Sequence, residues 1–179
     1  MAKLYLGLGS NIERERYLCA GLDALERLFG HLELSPVYDS AAIGFEGQSF
    51  LNMVVSADTQ LSLAEVAKQL RAVEYEHGRP RNATRFSARQ LDIDILTYDD
   101  LVGDIDGVVL PRGEIVQNAF VLQPLAELAP DVLHPQLGES YQSLWANFDQ
   151  GSQQLSRVDF EWHGRPVGVA AANNESCSI

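Results

Sequence analysis

The triplet Asp92-Ile93-Asp94 carries the clearest chemical signal in the chain. On a strand, residues i and i+2 face the same way. The two carboxylates would then stand side by side while Ile93 turns into a core. Paired carboxylates repel unless a cation lies between them. A hard divalent ion, Mg²⁺ first of all, takes one or two carboxylates and completes its shell with water and phosphate oxygens. Taken alone, the same pattern also suits two solvated aspartates on an edge strand.

The neighbouring charges sharpen the reading. Of the 13 Lys and Arg, Lys68, Arg71, Arg79, Arg81, Arg85 and Arg89 crowd into one stretch. Asp92, Asp94, Asp99, Asp100, Asp104 and Asp106 follow at once. Guanidinium groups bind phosphate oxygens bidentately and stay charged at any working pH. Arginines beside metal-held phosphates are the usual equipment of phosphoryl transfer, where electrostatic stabilisation is the main term. On charge alone, two solvated loops of opposite sign remain the plainer account.

Other candidates are weaker. Gly7-Leu8-Gly9-Ser10 follows a strand, but position 12 is Ile, so no G-x-G-x-x-G exists. No G-x-x-x-x-G-K-[ST] exists either. The segment is expected to be a tight turn that leaves room for something planar or for another segment. His31, His77, His134 and His163 have no metal-ligand spacing. Cys19 and Cys177 form neither a disulfide framework nor a metal motif, so reduced thiols are expected.

The elements that must position these groups follow from periodicity. Leu4 to Leu8 alternates as a strand. Leu18, Leu22, Leu25 and Phe29 share one face of a helix, with Asn11 as its expected N-cap and Gly30 at its end. Leu32 to Tyr38 reads as a strand containing Pro36, hence an edge. Residues 41–48 read as a loop, and Phe50 to Val55 as a strand. Ser62 should cap a helix carrying Leu63, Val66, Leu70 and Val73 that ends near His77-Gly78. Residues 79–88 read as an arginine-rich loop leading into the Leu91–Ile95 strand. Val108–Leu110 suggests a short strand, Ala119–Leu128 a helix, and Tyr141–Phe148 a last short helix. The order β-α-β-β-α-β predicts an α+β, ferredoxin-like antiparallel sheet with helices packed on it, plus added C-terminal helices. One domain is expected over residues 1–163, with a polar, partly disordered tail over 164–179.

Bulk properties exclude several classes. The chain has 179 residues, 46% of them hydrophobic and 21% charged, which is ordinary globular usage. Its net charge of −12 argues against nucleic acid or an anionic membrane as partner. No apolar run approaches the roughly 18 residues of a membrane span. The N-terminal residues lack a signal-peptide pattern, so a cytoplasmic protein is expected.

In order along the chain, several short motifs together resemble the 6-hydroxymethyl-7,8-dihydropterin pyrophosphokinase family of folate biosynthesis. They are Gly9-Ser10-Asn11, Tyr38 to Gly44, Phe50-Leu51-Asn52 and Glu74-x-x-x-Gly78-Arg79-x-Arg81. The strongest is Arg85-Phe86-x-x-Arg89-x-Leu91-Asp92-Ile93-Asp94-Ile95, and Phe120 to Asp131 closes the series. The resemblance implies transfer of pyrophosphate from ATP to the pterin's hydroxymethyl group, with release of AMP. It implies that Asp92 and Asp94 hold two Mg²⁺ ions. Arg79 and Arg89 would contact phosphates, with Arg81 and Arg85 closing over them, and Glu74 would line the nucleotide site. The pterin would meet Asn52 along its edge and Phe120 and Phe86 on its faces, with Phe50 and the backbone of Ser40, Ala41 and Ile43 completing its pocket. The resemblance also implies a monomer. From the residues alone, Phe50, Phe86 and Phe120 could instead be core.

The chain departs from the family's pattern at several positions. Arg112-Gly113 replaces a usual histidine and its neighbour, and Asn118 stands where an arginine is usual. Ser87-Ala88 replaces Gly-Pro, Phe86 a tryptophan, and Ser40-Ala41-Ala42 a Thr-Pro-Pro. Arg112 is expected to restore charge at the ATP phosphates. Two alternatives follow from the departures: a paralogue that binds pterin or nucleotide and catalyses poorly, and an enzyme for a modified pterin.

Overall fold

The computed structural model describes residues 1–40, 49–78 and 90–168. Strand β1 spans Ala2–Ser10 and helix α1 spans Arg14–Phe29. Strands β2 (Glu33–Leu34) and β3 (Val37–Ser40) precede β4 (Phe50–Thr59). Helix α2 (Leu63–Glu76) leads to β5 (Asp92–Tyr98). A hairpin of β6 (Gly103–Ile105) and β7 (Val108–Leu110) follows, then α3 (Ala119–Leu128) and α4 (Tyr141–Ala146). Strands β8 (Leu155–Val158), β9 (Glu161–Trp162) and β10 (Arg165–Pro166) complete the order.

The main sheet runs β5-β1-β4-β3-β8, with β2 also on β4, and every pairing is antiparallel. This is the expected ferredoxin-like α+β core with added C-terminal elements. Because strand side chains alternate, the two faces of the sheet carry separate cores. Leu4, Leu6, Leu8, Met53, Val55, Ile93 and Ile95 face α1 and α2, where Leu18, Leu22, Leu25, Val66 and Leu70 meet them. Tyr5, Val54 and Leu96 face the other way, under α3 and α4, against Leu122, Leu125 and Tyr141. Each fully buried leucine contributes about 1.5–3 kcal/mol of apolar burial.

The second face is only half covered. Toward the end of β1 the residues on that face become Gly7 and Gly9, flanked by Asp94 and Asp92 on β5 and by Val54 and Asn52 on β4. Apart from Val54, these residues are small or polar, and here the sheet stays open.

Four local expectations are corrected. Gly7 and Gly9 lie within β1, not in a turn, although they do leave the room that was expected of them. Asn11 does not cap α1: the chain turns left-handed at Glu13 (φ 43°) and the helix begins after it, so Asn11 comes too early and is buried instead. The Pro36 strand is split: β2 is an edge that pairs with β4 alone, whereas β3 is not an edge. Ser35 keeps the ladder across the gap, its Oγ accepting from Val54 N at 2.8 Å, and β8 covers the outer side of β3. The packed body also passes residue 163, because Arg165–Pro166 pairs with β9 and Val167 is buried in the first core. Ser62 caps α2 as expected, its hydroxyl accepting from Glu65 N.

Candidate active site

The open half of the sheet forms the floor of a cavity of about 820 Å³. It extends around the β5 edge to α2, and the β6–β7 hairpin and the start of α3 form its other walls. A smaller hollow of about 400 Å³, between α1 and the β9–β10 hairpin, holds none of the residues expected to bind metal, ATP or pterin.

One end of the cavity is suited to a planar ligand with hydrogen-bonding edges. Asn52 Nδ2 donates to Ser40 Oγ at 2.9 Å, and both side chains are buried. Gly9 is required beside them: a Cβ there would stand 2.9 Å from Asn52 Oδ1 and 3.5 Å from Phe50 Cδ1. Phe50 and Phe120, both half-buried, also line this space. Phe120 packs on the α3/α4 core as well, so the core and ligand readings of this residue hold together. Helix α3 is tied to β3 behind Phe120, where Tyr38 Oη donates to Glu127 and Gln123 Nε2 donates to Tyr38 Oη at 3.3 Å.

The other end is acidic. Asp92 and Asp94 share the open face of β5, while Ile93 and Ile95 are buried behind them. Burial at the cavity floor, and then the adjacent Asp92, push the Asp94 carboxyl up to about 8; Arg112 opposes the shift. Crowded, buried negative charge of this kind favours a bound cation, as at a metal or cationic-ligand site. Glu74, buried on α2, adds to the negative field around Asp94. Arg112 Nη2 lies 3.4 Å from Asp94 Oδ1 and 3.1 Å from Glu114 Oε1. No group of three or more His, Cys, Asp or Glu able to hold a metal exists among the described residues. Two carboxylates fit Mg²⁺, provided that phosphate and water supply the remaining ligands.

The sequence profile of 7,8-dihydro-6-hydroxymethylpterin-pyrophosphokinase matches residues 5–130. The chain belongs to this pyrophosphokinase family. It is 39% identical over 137 residues to the 2-amino-4-hydroxy-6-hydroxymethyldihydropteridine pyrophosphokinase of Aquifex aeolicus, covering 75% of this chain and 85% of that one. The Pseudomonas aeruginosa enzyme of the same name is also 39% identical, with 74% and 84% covered. The folic acid synthesis protein fol1 of Schizosaccharomyces pombe is 32% identical over 135 residues, which are only 18% of its length. The fold is shared with the crystal structure of Plasmodium falciparum HPPK-DHPS (TM-score 0.64, 14% identity), covering 82% of this chain and 43% of that longer chain.

In this pyrophosphokinase the cavity gathers Ser40, Phe50, Asn52, Glu74, Asp92, Asp94, Arg112 and Phe120 from the expected set. Ala41, Ile43, Arg79, Arg81, Arg85, Phe86 and Arg89 lie outside the described residues. The aspartate run divides: Asp99 turns away to accept from Lys3 N at 2.7 Å, and Asp104 and Asp106 are exposed on the hairpin. Sequence reasoning expected room beside Gly9, but it missed Arg71 on the cavity wall and Glu114 as a partner of Arg112. Arg71 was detectable, because it lies three residues before Glu74 and so on the same helical face. Glu114 was not, because its role depends on where the 3₁₀ turn Gly113–Ile115 places it.

Proposed function

We propose that the chain transfers pyrophosphate from MgATP to the hydroxymethyl oxygen of 6-hydroxymethyl-7,8-dihydropterin. The new bond joins that oxygen to the β-phosphorus, the α–β bridge breaks, and AMP leaves while the hydroxyl proton passes to solvent. The observation that carries this reading is one cavity with two chemistries. Asp92 and Asp94 lie at one end, and Asn52, Ser40, Phe50 and Phe120 at the other.

Asp92 and Asp94 would hold Mg²⁺, two ions on the family's pattern. Bound there, the ions would neutralise phosphate charge and make the β-phosphorus more electrophilic. The chain's own part is positioning. Asn52, fixed by Ser40 and by the bare Gly9, presents an amide to the ring edge, and Phe50 and Phe120 offer aromatic surface. Glu74 lines the nucleotide end. Arg79, Arg81, Arg85 and Arg89 belong to the same reading as phosphate ligands, Ala41 and Ile43 as pterin contacts, and Phe86 as a ring cover. Holding two substrates in line accounts for much of the acceleration such a reaction needs. A monomer belongs to the same reading, on the family's pattern. A cytoplasmic setting completes the reading; no helix among the described residues is long and apolar enough to cross a membrane.

The departures at 112 and 118 do not favour the weakened-paralogue alternative. Arg112 restores a cation beside Asp94, and Asn118 lines the cavity at the start of α3. The test is AMP release from MgATP in the presence and absence of the pterin. Pterin-dependent AMP that vanishes in Asp92→Ala and Asp94→Ala supports the reading. Folded protein that binds pterin but releases no AMP refutes it.

A further inference from the structure

Arg112 is held in place before any substrate arrives. Its backbone N donates to Leu96 O at 2.9 Å, fixing the residue to the inner end of β5. Its carbonyl accepts from Ile115 N at 3.2 Å, closing the turn that carries Glu114. The guanidinium is therefore suspended between Asp94 of the strand and Glu114 of its own turn. Its Nε is buried and has no hydrogen-bond partner. A guanidinium has five N–H donors, so this one keeps unused hydrogen-bonding capacity while its charge is committed to Asp94.

A cation 3.4 Å from Asp94 repels any second cation at that carboxylate. We propose that Arg112 is the resident counter-cation of Asp94. It competes with divalent metal in the nucleotide-free chain and releases the carboxylate when its spare donors are taken by nucleotide phosphates. Metal binding and nucleotide binding are then coupled through one side chain. By linkage, each raises the chain's affinity for the other. Arg112 acts here as a positioning residue, and the role rests on the pyrophosphokinase reading only for the identity of the phosphate ligand.

The test reads metal binding rather than turnover. Mn²⁺ is titrated into nucleotide-free wild type, Arg112→Gln, Arg112→Ala and Arg112→Lys, with free Mn²⁺ followed by electron paramagnetic resonance and folding checked by thermal melting. Removing the competing charge should tighten Mn²⁺ binding by about tenfold or more in the Gln and Ala variants. The Lys variant, which keeps the charge, should stay close to wild type. Addition of α,β-methylene ATP, which cannot be cleaved between its α- and β-phosphates, should raise Mn²⁺ affinity more in wild type than in Arg112→Gln. The proposal fails if neither neutral variant binds Mn²⁺ more tightly than wild type. It also fails if the gain survives an added Asp94→Asn change, since the ion would then be bound elsewhere. Tighter Mn²⁺ binding in a chain that releases no AMP would uphold this role for Arg112 and refute the pyrophosphokinase reading instead.

Discussion

Gly9 and Asn52 face each other across the β1–β4 ladder, and the space between them holds no more than a hydrogen: a Cβ on Gly9 would come within 2.9 Å of Asn52 Oδ1. Asn52 cannot easily yield, because its Nδ2 is bonded to Ser40 and the side chain is buried. Gly9→Ala should therefore displace the amide without unfolding the sheet. Loss of one well-placed hydrogen bond predicts pterin binding about tenfold weaker, with ATP binding little changed. Fluorescence titration with each ligand separates the two. Unchanged pterin affinity would remove Asn52 from the pterin site.

The raised proton affinity of Asp94 has a definite sign. Its carboxyl moves from an ordinary 3.8 up to about 8, by burial first and then by Asp92. Through that range the folded, metal-free chain binds a proton at Asp94 more readily than the unfolded chain does. This group's contribution to stability therefore falls as pH rises from about 4 to about 8, and is level outside that window. A metal ion must displace that proton. Mg²⁺ binding should release more protons at pH 6 than at pH 9. Calorimetry in buffers of different ionisation enthalpy measures this, and Asp94→Asn should abolish the release. Equal proton release at both pH values would refute the assignment.

Legibility from sequence followed the range of the interactions. Leu18, Leu22 and Leu25 announced the buried face of α1 because helical periodicity is local. Asp92-Ile93-Asp94 announced its two faces because strand alternation is too. Ser62 was readable as a cap for the same reason. Strands β8 to β10 were not, because Ser156, Arg157 and Glu161 are exposed and polar. Residues 155–158 become a strand only because β3 offers them a free side. Within the candidate site, Asp92 and Asp94 were picked out by type and spacing, and Asn52 and Phe120 through the family resemblance. The Arg112–Glu114–Asp94 chain of charge was not, since it requires the turn after β7 to return against β5.

Arg14 offers a test of how the pterin end is braced. From the first turn of α1 its Nη1 reaches Asp39 Oδ2 at 3.0 Å, Ser49 Oγ at 3.0 Å and Ser49 O at 3.2 Å. It thus ties β3, just before Ser40, to the residue that precedes β4. Both partners of the ion pair are mostly buried, at 22% and 29% exposure. Arg14→Met should cost about 1–3 kcal/mol, the range for a charge-assisted hydrogen bond left unmade. Denaturant unfolding gives the cost, and a cycle with Asp39→Asn isolates the pair. Pterin affinity should fall in parallel, because the Ser40–Asn52 bond lies next to the brace. A stability loss with pterin binding intact would confine Arg14 to the scaffold.

Tyr38 and Glu127 fix the angle at which Phe120 enters the cavity. Tyr38 donates to Glu127 and receives Gln123, so both helix partners follow Phe120 along α3, while Arg157 of β8 approaches Glu127 at 4.0 Å. Burial first, then the Glu127 bond, hold the phenol well above the ordinary tyrosine value, so it stays a donor at any working pH. Tyr38→Phe keeps the ring and removes the donor. Glu127, exposed on α3, then loses its phenol partner, at a cost of about 0.5–1.5 kcal/mol. The helix should loosen at the end that carries Phe120. The expected signature is a higher pterin KM with kcat nearly unchanged, because the phosphate end of the cavity does not touch this pair. Glu127→Gln on its own, whose amide oxygen can still accept from the phenol, should keep most of the affinity. A fall in kcat with KM unchanged would mean that α3 does more than hold the ring.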